Sequence, residues 1–297
     1  MITSNTTICG LIGDPVAHSL SPAMHNAAFA SLGLDYIYLP FRVRKEDLAK
    51  AIDGIRAFNM RGVNITIPHK VAVIPLLDEF EPLAEKIGAV NTIVNDKGRL
   101  KGYNTDAAGF IKALAQNCVQ PQGSKAVIIG AGGAARAIAF TLAEKNAGLI
   151  ILNRRQEFNW AVELAASLSR FSSAEAKALE LNDENLKAAI ETADILVNAT
   201  SVGMSPDIGR TPVPAGLLKP GLVVFDVVYN PVETKLLADA EAAGAKTISG
   251  IDMLVWQGAL AFERPVYADM AVHEPADGGM HHVGVIHQIH HHPVNTT

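Results

Sequence analysis

The amino-acid sequence predicts an α/β fold made of two domains, because strand-like and helix-like segments alternate along most of the chain. Its 297 residues suffice for two domains of ordinary size or one large α/β unit, and 49% of them are hydrophobic. The second half holds near-continuous apolar runs such as AVIIG, LIIL and LVVFDVV, which strands need when helices cover both faces of a parallel sheet. We therefore expect an N-terminal α/β domain followed by a doubly wound parallel sheet.

The first half alternates short apolar runs with helical patterns. A helix is predicted at 22–32, because proline stands in its first turn and Gly33 follows its last residue. The runs NTIVN and RLKGY flank a turn that ends in Gly98, which predicts a hairpin. Asp106 directly precedes AAGFIKALA and is expected to cap the next helix. The remaining predictions are strands at 8–12, 36–43 and 62–66, a helix at 45–58 and a helical segment after Lys70.

The second half begins with one unit that reads strand, glycine turn, helix, strand over about 30 residues from Lys125. A crossover of this length implies parallel pairing and a right-handed βαβ connection. The elements predicted to follow are a helix at 182–191, strands at 195–198 and 222–227, a helix at 234–243, a strand at 246–248 and an apolar helix at 251–263.

Composition and charge exclude several classes of function. The 25 basic and 30 acidic side chains give a net charge of −5, which disfavours nucleic acid as a partner. No apolar run approaches the roughly 18 residues of a membrane span, and the N-terminus lacks the pattern of a signal peptide. Cys9 and Cys118 are too few for a disulfide framework and too far apart for a metal knuckle. We therefore expect a cytoplasmic protein, monomer or homodimer, that acts on small molecules.

The segment 264–297 differs from the rest, since it shows little periodicity and contains six of the ten histidines between His281 and His292. One interpretation is a metal-binding tract. The other is an unstructured or appended tail, which we favour because no carboxylate or cysteine ligands accompany the histidines. We predict no metal site.

The motif GAGGAA at 130–135 follows a predicted strand and opens a predicted helix. Gly130 permits a tight turn, Gly132 lets the backbone approach a pyrophosphate, and the small Ala135 allows close helix–strand packing. The N-terminus of the helix adds N–H donors and positive partial charge. A purely structural turn is the alternative, but the strand–turn–helix–strand context favours a Rossmann-type domain that binds a dinucleotide.

The end of the second strand in this unit bears on the choice of dinucleotide. An NAD-selective site usually places an acidic residue there to bind the ribose hydroxyl, whereas this chain has Asn153, Arg154 and Arg155. Two guanidinium groups suit a 2′-phosphate, although a solvated basic pair is the alternative. Glu157 lies close enough to bind a free ribose. We therefore predict NADP, NAD or both as cofactor.

Polar side chains gather at the predicted strand-to-helix junctions of the first half. Ser19 and Ser21 form an i, i+2 pair before a helix, although each could merely cap it. Asn64 and Thr66 share one face of a strand by its period of two. Such a set suits a polyol carboxylate. The other members of this polar set are Lys70, Asn91 and Asp106.

Eight segments together resemble the shikimate dehydrogenase family in order and spacing. They cover residues from about 8 to 262 and read HSLSPAMHN, NITIPHK, GAVNTIV, GYNTDAAGF, GAGGAARA, NATSVGM, VYNPVETKLL and GIDMLVWQGALAF. The NRRQEF segment and the His-Lys pair in NITIPHK look closer to the quinate/shikimate dehydrogenase branch, which accepts NAD as well as NADP.

The resemblance implies two domains and a set of site residues. Residues 1–105, completed by a returning helix at 250–263, are expected to bind the substrate, and 106–249 to form the Rossmann-type NAD(P)-binding domain. Lys70 and Asp106 are implied as the catalytic pair. The implied substrate ligands are Ser19, Ser21, Tyr38, Asn64, Thr66, Lys70, Asn91, Asp106, Tyr229 and Gln257. The implied cofactor contacts are Gly130, Ala131, Gly132, Gly133, Ala134, Asn153, Arg154 and Arg155, with Gly250 and Met253 near the nicotinamide.

The implied activity is the reversible, NAD(P)-dependent oxidation of a ring hydroxyl of shikimate or quinate, a hydroxylated cyclohexene or cyclohexane carboxylate. Two alternatives stay open. One is a related two-domain dehydrogenase for another hydroxy or amino acid, and the other is a protein that senses NAD(P) and a cyclitol without turnover. Segment 264–297 departs from the family pattern, which normally ends in a further amphipathic helix that covers apolar surface.

Overall fold

The computed structural model describes residues 2–270 of the chain, with side chains as far as Arg264. Two compact units are distinguished, one formed by residues up to Thr105 together with those from Val255 on, the other by Asp106–Leu254. The second boundary therefore falls inside the last helix, whereas the sequence predicts it after residue 249. Most of the histidine-rich tail lies outside the described residues.

The first unit is built on a mixed sheet in which the described strands follow the order β2-β1-β3-β5-β6-β4. Strands β2, β1 and β3 pair in parallel, and β5 runs antiparallel to both β3 and β6. The elements of this unit are β1 Thr7–Gly13, α1 Ser21–Ser31, β2 Tyr36–Arg42, α2 Leu48–Ala57, β3 Gly62–Ile65, β4 Glu79–Phe80, α3 Pro82–Ile87, β5 Thr92–Asp96 and β6 Arg99–Tyr103.

The second unit is built on a fully parallel sheet whose described strands follow the order β12-β11-β10-β7-β8-β9. The chain starts in the middle at β7, runs outward through β8 and β9, and returns to continue from β10 to β12. This reversal is the doubly wound Rossmann topology, and ligands bind at the carboxyl ends of the strands where the order reverses. The elements are α4 Asp106–Gln116, β7 Lys125–Ile129, α5 Gly133–Glu144, β8 Gly148–Asn153, α6 Phe158–Leu168, β9 Ala176–Glu180, α7 Asp183–Glu191, β10 Ile195–Asn198, β11 Val223–Asp226, α8 Lys235–Ala242, β12 Lys246–Ile248 and α9 Gly250–Met270.

The predicted fold class is confirmed, and the local differences have physical causes. The predicted helix at 45–58 divides into a 3₁₀ turn and α2. After Lys70 the chain forms turns and one 3₁₀ turn, because Pro75 has no N–H donor for a regular helix. Asp106 is the first residue of α4 rather than the residue before it, a position where its charge still suits the positive end of the helix dipole.

Further differences concern elements that the structure adds to the predicted ones. The short β4, α3 and β9 and the helix α6 were not predicted from the sequence. The last helix continues to Met270 and so includes the first residues of the segment 264–297, which the sequence predicts to be irregular.

Each unit has its own apolar core. In the first unit Ile52, Ile65 and Ile93 are fully buried between the helices and the sheet. In the second unit Val127 and Leu196 belong to a cluster on the parallel sheet. Within residues 2–270, no helix combines the length and hydrophobicity that a membrane crossing needs. In the same part of the chain, no three His, Cys, Asp or Glu side chains lie close enough to hold a metal ion.

Candidate functional site

The polar residues of the first unit form a connected hydrogen-bond network around Asn64 on β3. Its Oδ1 accepts from the Tyr38 hydroxyl at 2.7 Å. Its Nδ2 donates to the Asn91 carbonyl at 3.2 Å and to the Thr92 hydroxyl at 3.0 Å. Both N–H donors of the amide are therefore used within the protein, and its oxygen keeps one further acceptor site. Asn64 is held in a single orientation by its neighbours.

Asn91 joins three segments of the same unit. Its Nδ2 donates to the Thr105 hydroxyl at 2.8 Å and to Gln257 Oε1 at 3.2 Å, while its Oδ1 accepts from the Thr105 N–H at 2.8 Å and from the Thr92 hydroxyl at 3.0 Å. The side chain is only 2% exposed, where unpaired polar atoms would be costly. Thr92 and Thr105 were missed by sequence reasoning, although each stands beside or near an asparagine of the motifs.

Ser19 and Ser21 lie at the start of α1, as predicted, but neither occupies its N-cap position. The cap residue is Leu20, and no side chain caps this helix. The Ser21 N–H donates to Ser19 Oγ at 3.2 Å, so Ser19 satisfies one of the donors that a helix start leaves unpaired. Within residues 2–270 the Ser21 hydroxyl has no hydrogen-bond partner, which leaves it available for a ligand.

Lys70 lies on a tight loop that follows β3. The Lys70 carbonyl accepts from the Val90 N–H at 2.8 Å, and the His69 N–H donates to the Thr66 carbonyl at 2.9 Å. The fully buried His69 ring donates from Nε2 to the Val43 carbonyl at 2.7 Å. These bonds anchor the backbone on either side of Lys70 to neighbouring segments of its unit.

His25 of α1 supports the Tyr38 side of the network, and sequence reasoning missed it inside the motif HSLSPAMHN. Its ring stacks on Tyr38 with centroids 4.3 Å apart and planes 2° from parallel, and Phe262 packs nearby at 5.9 Å. Burial disfavours the imidazolium form and lowers the pKa of His25 to about 3. A neutral ring therefore backs Tyr38 at physiological pH.

The glycine turn of the second unit has the properties that its sequence predicts. Gly130 has φ +107, and a Cβ there would lie 2.9 Å from the Ala199 carbonyl oxygen, so only glycine fits. A Cβ at Gly132 would meet no atom within 4 Å, and α5 begins at Gly133 with its first N–H groups lacking intrahelical partners. Ala131 lies in the turn, and Ala134 is the second residue of α5. This open cradle at a helix N-terminus fits a dinucleotide pyrophosphate.

The end of β8 presents one unpaired guanidinium group rather than two. Arg154 donates from Nε and Nη2 to the two carboxylate oxygens of Glu157, at 2.8 and 2.5 Å. Asn153 is buried and donates to the Glu157 carbonyl at 2.7 Å. In the part of the chain that the structure describes, the exposed Arg155 has no acidic partner. The charge of Arg154 is therefore already paired with the carboxylate of Glu157.

Three further predicted residues lie at the β11 and β12 edge of the same sheet. Tyr229 follows β11, and Gly250 and Met253 belong to the first turns of α9. A Cβ at Gly250 would lie 2.5 Å from the Val227 carbonyl oxygen, which requires glycine at this contact. The buried Asp226 at the end of β11 was not predicted.

The two residues that the resemblance implies as catalytic belong to different units. Lys70 lies in the first and is half-buried. Asp106 opens the second as the first residue of α4 and is 3% exposed.

Comparison with known proteins identifies two matching families. The shikimate dehydrogenase substrate binding domain matches residues 11–93, and shikimate / quinate 5-dehydrogenase matches residues 113–227. A shikimate dehydrogenase (NADP(+)) from Moorella thermoacetica is 49% identical over 262 residues, which are 88% of each chain. These matches confirm the resemblance seen in the sequence motifs.

Solved structures agree with this assignment. Shikimate 5-dehydrogenase from Listeria monocytogenes, in complex with shikimate and NAD, is 41% identical with a TM-score of 0.79, covering 91% of this chain and 98% of its own. The enzyme from Thermus thermophilus, in complex with NADP(H) and shikimate, is 40% identical with a TM-score of 0.77, covering 88% of this chain and 94% of its own.

Proposed function

Because the chain belongs to the shikimate dehydrogenase family, we propose that it oxidises shikimate reversibly to 3-dehydroshikimate with NADP⁺. The observation that carries this proposal is the 49% identity, over most of both chains, with a relative named for this activity and this cofactor. The polar network of the first unit suits a polyol carboxylate, and the glycine turn of the second suits a dinucleotide. We assign substrate binding to residues 1–105 with the returning helix, and dinucleotide binding to 106–249.

The dinucleotide is assigned to the turn at 130–134 and to the end of β8. The open space at Gly132 and the N-terminal amides of α5 fit a pyrophosphate. Arg155 offers its charge to a 2′-phosphate, with Arg154 as a second donor once it leaves Glu157. When bound, NADP⁺ supplies the acceptor for the hydride. Asn153 holds the backbone of this segment through Glu157.

The substrate is assigned to the network of the first unit. The hydroxyls of Ser19, Ser21 and Thr66 and the amide of Gln257 supply donors and acceptors that match a carboxylate and several ring hydroxyls. Asn91 fixes Gln257 through the bond to its Oε1. The remaining proposed ligands in this unit are Tyr38 and Asn64, whereas Tyr229, which the resemblance also implies, belongs to the second unit.

Lys70 and Asp106 are proposed as the acid–base pair. Oxidising an alcohol requires a group that takes the hydroxyl proton as the hydride leaves. We assign this proton to the Lys70 amine, which its loop holds through the backbone bonds around it. Asp106 is assigned to orienting the substrate hydroxyl.

Quinate and NAD⁺ are the second substrate and cofactor to be tested. Glu157 favours NAD⁺ as an additional cofactor, because its carboxylate can accept from a free ribose hydroxyl. The oxidation of shikimate and of quinate should therefore be tested with NADP⁺ and with NAD⁺. The absorbance of the reduced nicotinamide measures the reduction of each cofactor. Turnover of shikimate with NADP⁺ supports the proposal, and binding of both without turnover would favour a sensing protein.

The Lys70→Ala variant tests the proton carrier. We expect kcat to fall by roughly 10²–10⁴, the usual contribution of a general acid–base group, while KM for shikimate changes far less. Lys86→Ala is the matched control, since Lys86 is an exposed lysine on α3 of the same unit. A Lys70 variant with the kcat of the unmodified protein would remove this residue from the chemistry.

A further inference from the structure

The carboxyl group of Asp226 is buried at the carboxyl end of β11, where the proposed reaction gives it no role. The residue has no exposed surface, and burial raises its pKa to about 6. No charged side chain among the described residues pairs with it. Burying a carboxylate without a counter-ion costs free energy. Hydrogen bonds must therefore offset this cost at Asp226.

Three donors from three different segments meet this carboxyl group. Asn198 Nδ2, at the end of β10, donates to Oδ1 at 2.9 Å, and the Val228 N–H donates to the same oxygen at 3.0 Å. The Thr234 hydroxyl donates to Oδ2 at 2.7 Å. Thr234 also caps α8 by accepting from the Leu237 N–H at 3.3 Å. Asp226 thereby ties the end of β10 to the loop after β11 and to the start of α8.

Asn198 carries this connection into the loop after β10. Its Oδ1 accepts from the Thr200 N–H and hydroxyl, at 3.1 and 2.7 Å, and its Nδ2 also donates to the Val202 carbonyl at 3.2 Å. The two loops meet again where the Ser205 N–H donates to the Asn230 carbonyl at 2.9 Å. One network therefore shapes both loops, 199–205 and 227–234.

These loops lie on the half of the sheet opposite the adenosine contacts. The residues proposed to contact the ribose phosphate lie at the end of β8, on one side of the central strand β7. Strands β10 and β11 lie on the other side of β7. A dinucleotide that spans the carboxyl ends of this sheet places its two halves on these two sides. Tyr229 and Gly250 belong to the β10–β11 side.

We propose that Asp226 is a positioning residue for the nicotinamide half of the cofactor, because it holds the loops 199–205 and 227–234 in one arrangement through three hydrogen bonds. This inference rests on the proposed dinucleotide binding. Asparagine at this position can perform the same role. Its oxygen accepts from Asn198 and Val228, and its amide donates to the Thr234 hydroxyl oxygen.

The test compares two probes by isothermal titration calorimetry on the full chain. NADP⁺ reaches both halves of the site, whereas adenosine 2′,5′-bisphosphate reaches only the adenosine half. Asp226→Ala should weaken NADP⁺ binding about tenfold or more, the effect of losing a hydrogen bond to a charged group. The affinity for the bisphosphate should stay unchanged, and Asp226→Asn should restore NADP⁺ binding.

Two further variants keep the test decisive if the alanine protein does not fold. Thr234→Val removes one of the three donors and should weaken NADP⁺ binding about fivefold, since one hydrogen bond contributes about 1 kcal/mol. Asp239→Asn is the control, because Asp239 pairs with Lys235 within α8 and forms none of the hydrogen bonds that hold Asp226. Amide hydrogen exchange should accelerate in 199–205 and 227–234 for the first variant and not for the control.

The outcomes separate this inference from the proposed function. Equal weakening of both probes, or unchanged NADP⁺ binding and exchange in the Thr234 variant, would overturn the role of Asp226. Failure of the wild-type protein to bind NADP⁺ would overturn both. Normal NADP⁺ binding without turnover of shikimate would overturn only the proposed substrate, and the role of Asp226 would still be measured.

Discussion

The buried imidazole of His25 should make the protein lose stability in mild acid. Its ring stacks on Tyr38 and packs near Phe262, and no acidic side chain among the described residues pairs with it. Burial lowers its pKa from 6.5 to about 3. In the unfolded chain the same ring takes up a proton below its ordinary pKa. The unfolded state then binds more protons than the folded state, so the stability falls as the pH falls through this window.

The magnitude follows from the two pKa values. Each pH unit below 6.5 costs about 1.4 kcal/mol, so at about pH 4.5 this one residue removes about 3 kcal/mol of unfolding free energy. Near pH 3 the loss levels off at about 5 kcal/mol. A typical domain is stabilised by about 5–15 kcal/mol. A loss of about 3 kcal/mol is on the order of a third of a mid-range value, and the loss near pH 3 is larger.

His25→Phe isolates this effect, because phenylalanine keeps a ring for the stack on Tyr38 and cannot be protonated. Urea unfolding, followed by circular dichroism at neutral pH and at about pH 4.5, should show the wild-type protein losing about 3 kcal/mol more than the variant. Paired carboxylates titrate in both proteins and cancel in this difference. His18→Gln, at an exposed histidine, should behave as wild type. Equal acid losses in wild type and His25→Phe would refute the reasoning.

Two further predictions concern the second unit. Glu157→Gln should release Arg154 and raise the ratio of NADP⁺ affinity to NAD⁺ affinity about fivefold, which corresponds to about 1 kcal/mol for an exposed pair. Titration calorimetry with both cofactors measures this ratio, and an unchanged ratio would contradict the prediction. Gly130→Ala should lower the unfolding free energy by about 2 kcal/mol or more, because the new Cβ meets the Ala199 carbonyl at a positive φ. Gly148→Ala, where a Cβ meets nothing within 4 Å, is the control in thermal unfolding, and equal melting temperatures for the two variants would count against the prediction.

The sequence by itself determined the fold class, the glycine turn and most of the strands. These features follow from short-range patterns. Apolar runs bounded by turns predict buried strands, and the φ of +107 at Gly130 is a local requirement that only glycine meets readily. The Ser19–Ser21 pair and the basic residues after β8 were visible for the same reason. Weakly patterned elements such as β4 and α3 were not, because their neighbours in space stabilise them.

Only the tertiary structure decided which polar groups hold one another. Asn91 bonds to Gln257 across 166 positions, and Asn198 bonds to Asp226 across 28. No local pattern predicts such pairs, since burial and the angle between donor and acceptor decide them. Even Arg154, read from the sequence as a phosphate ligand, turns to Glu157 three residues later. Residue types at a site are therefore readable from sequence, whereas their partners and charges depend on distances that arise when the chain folds.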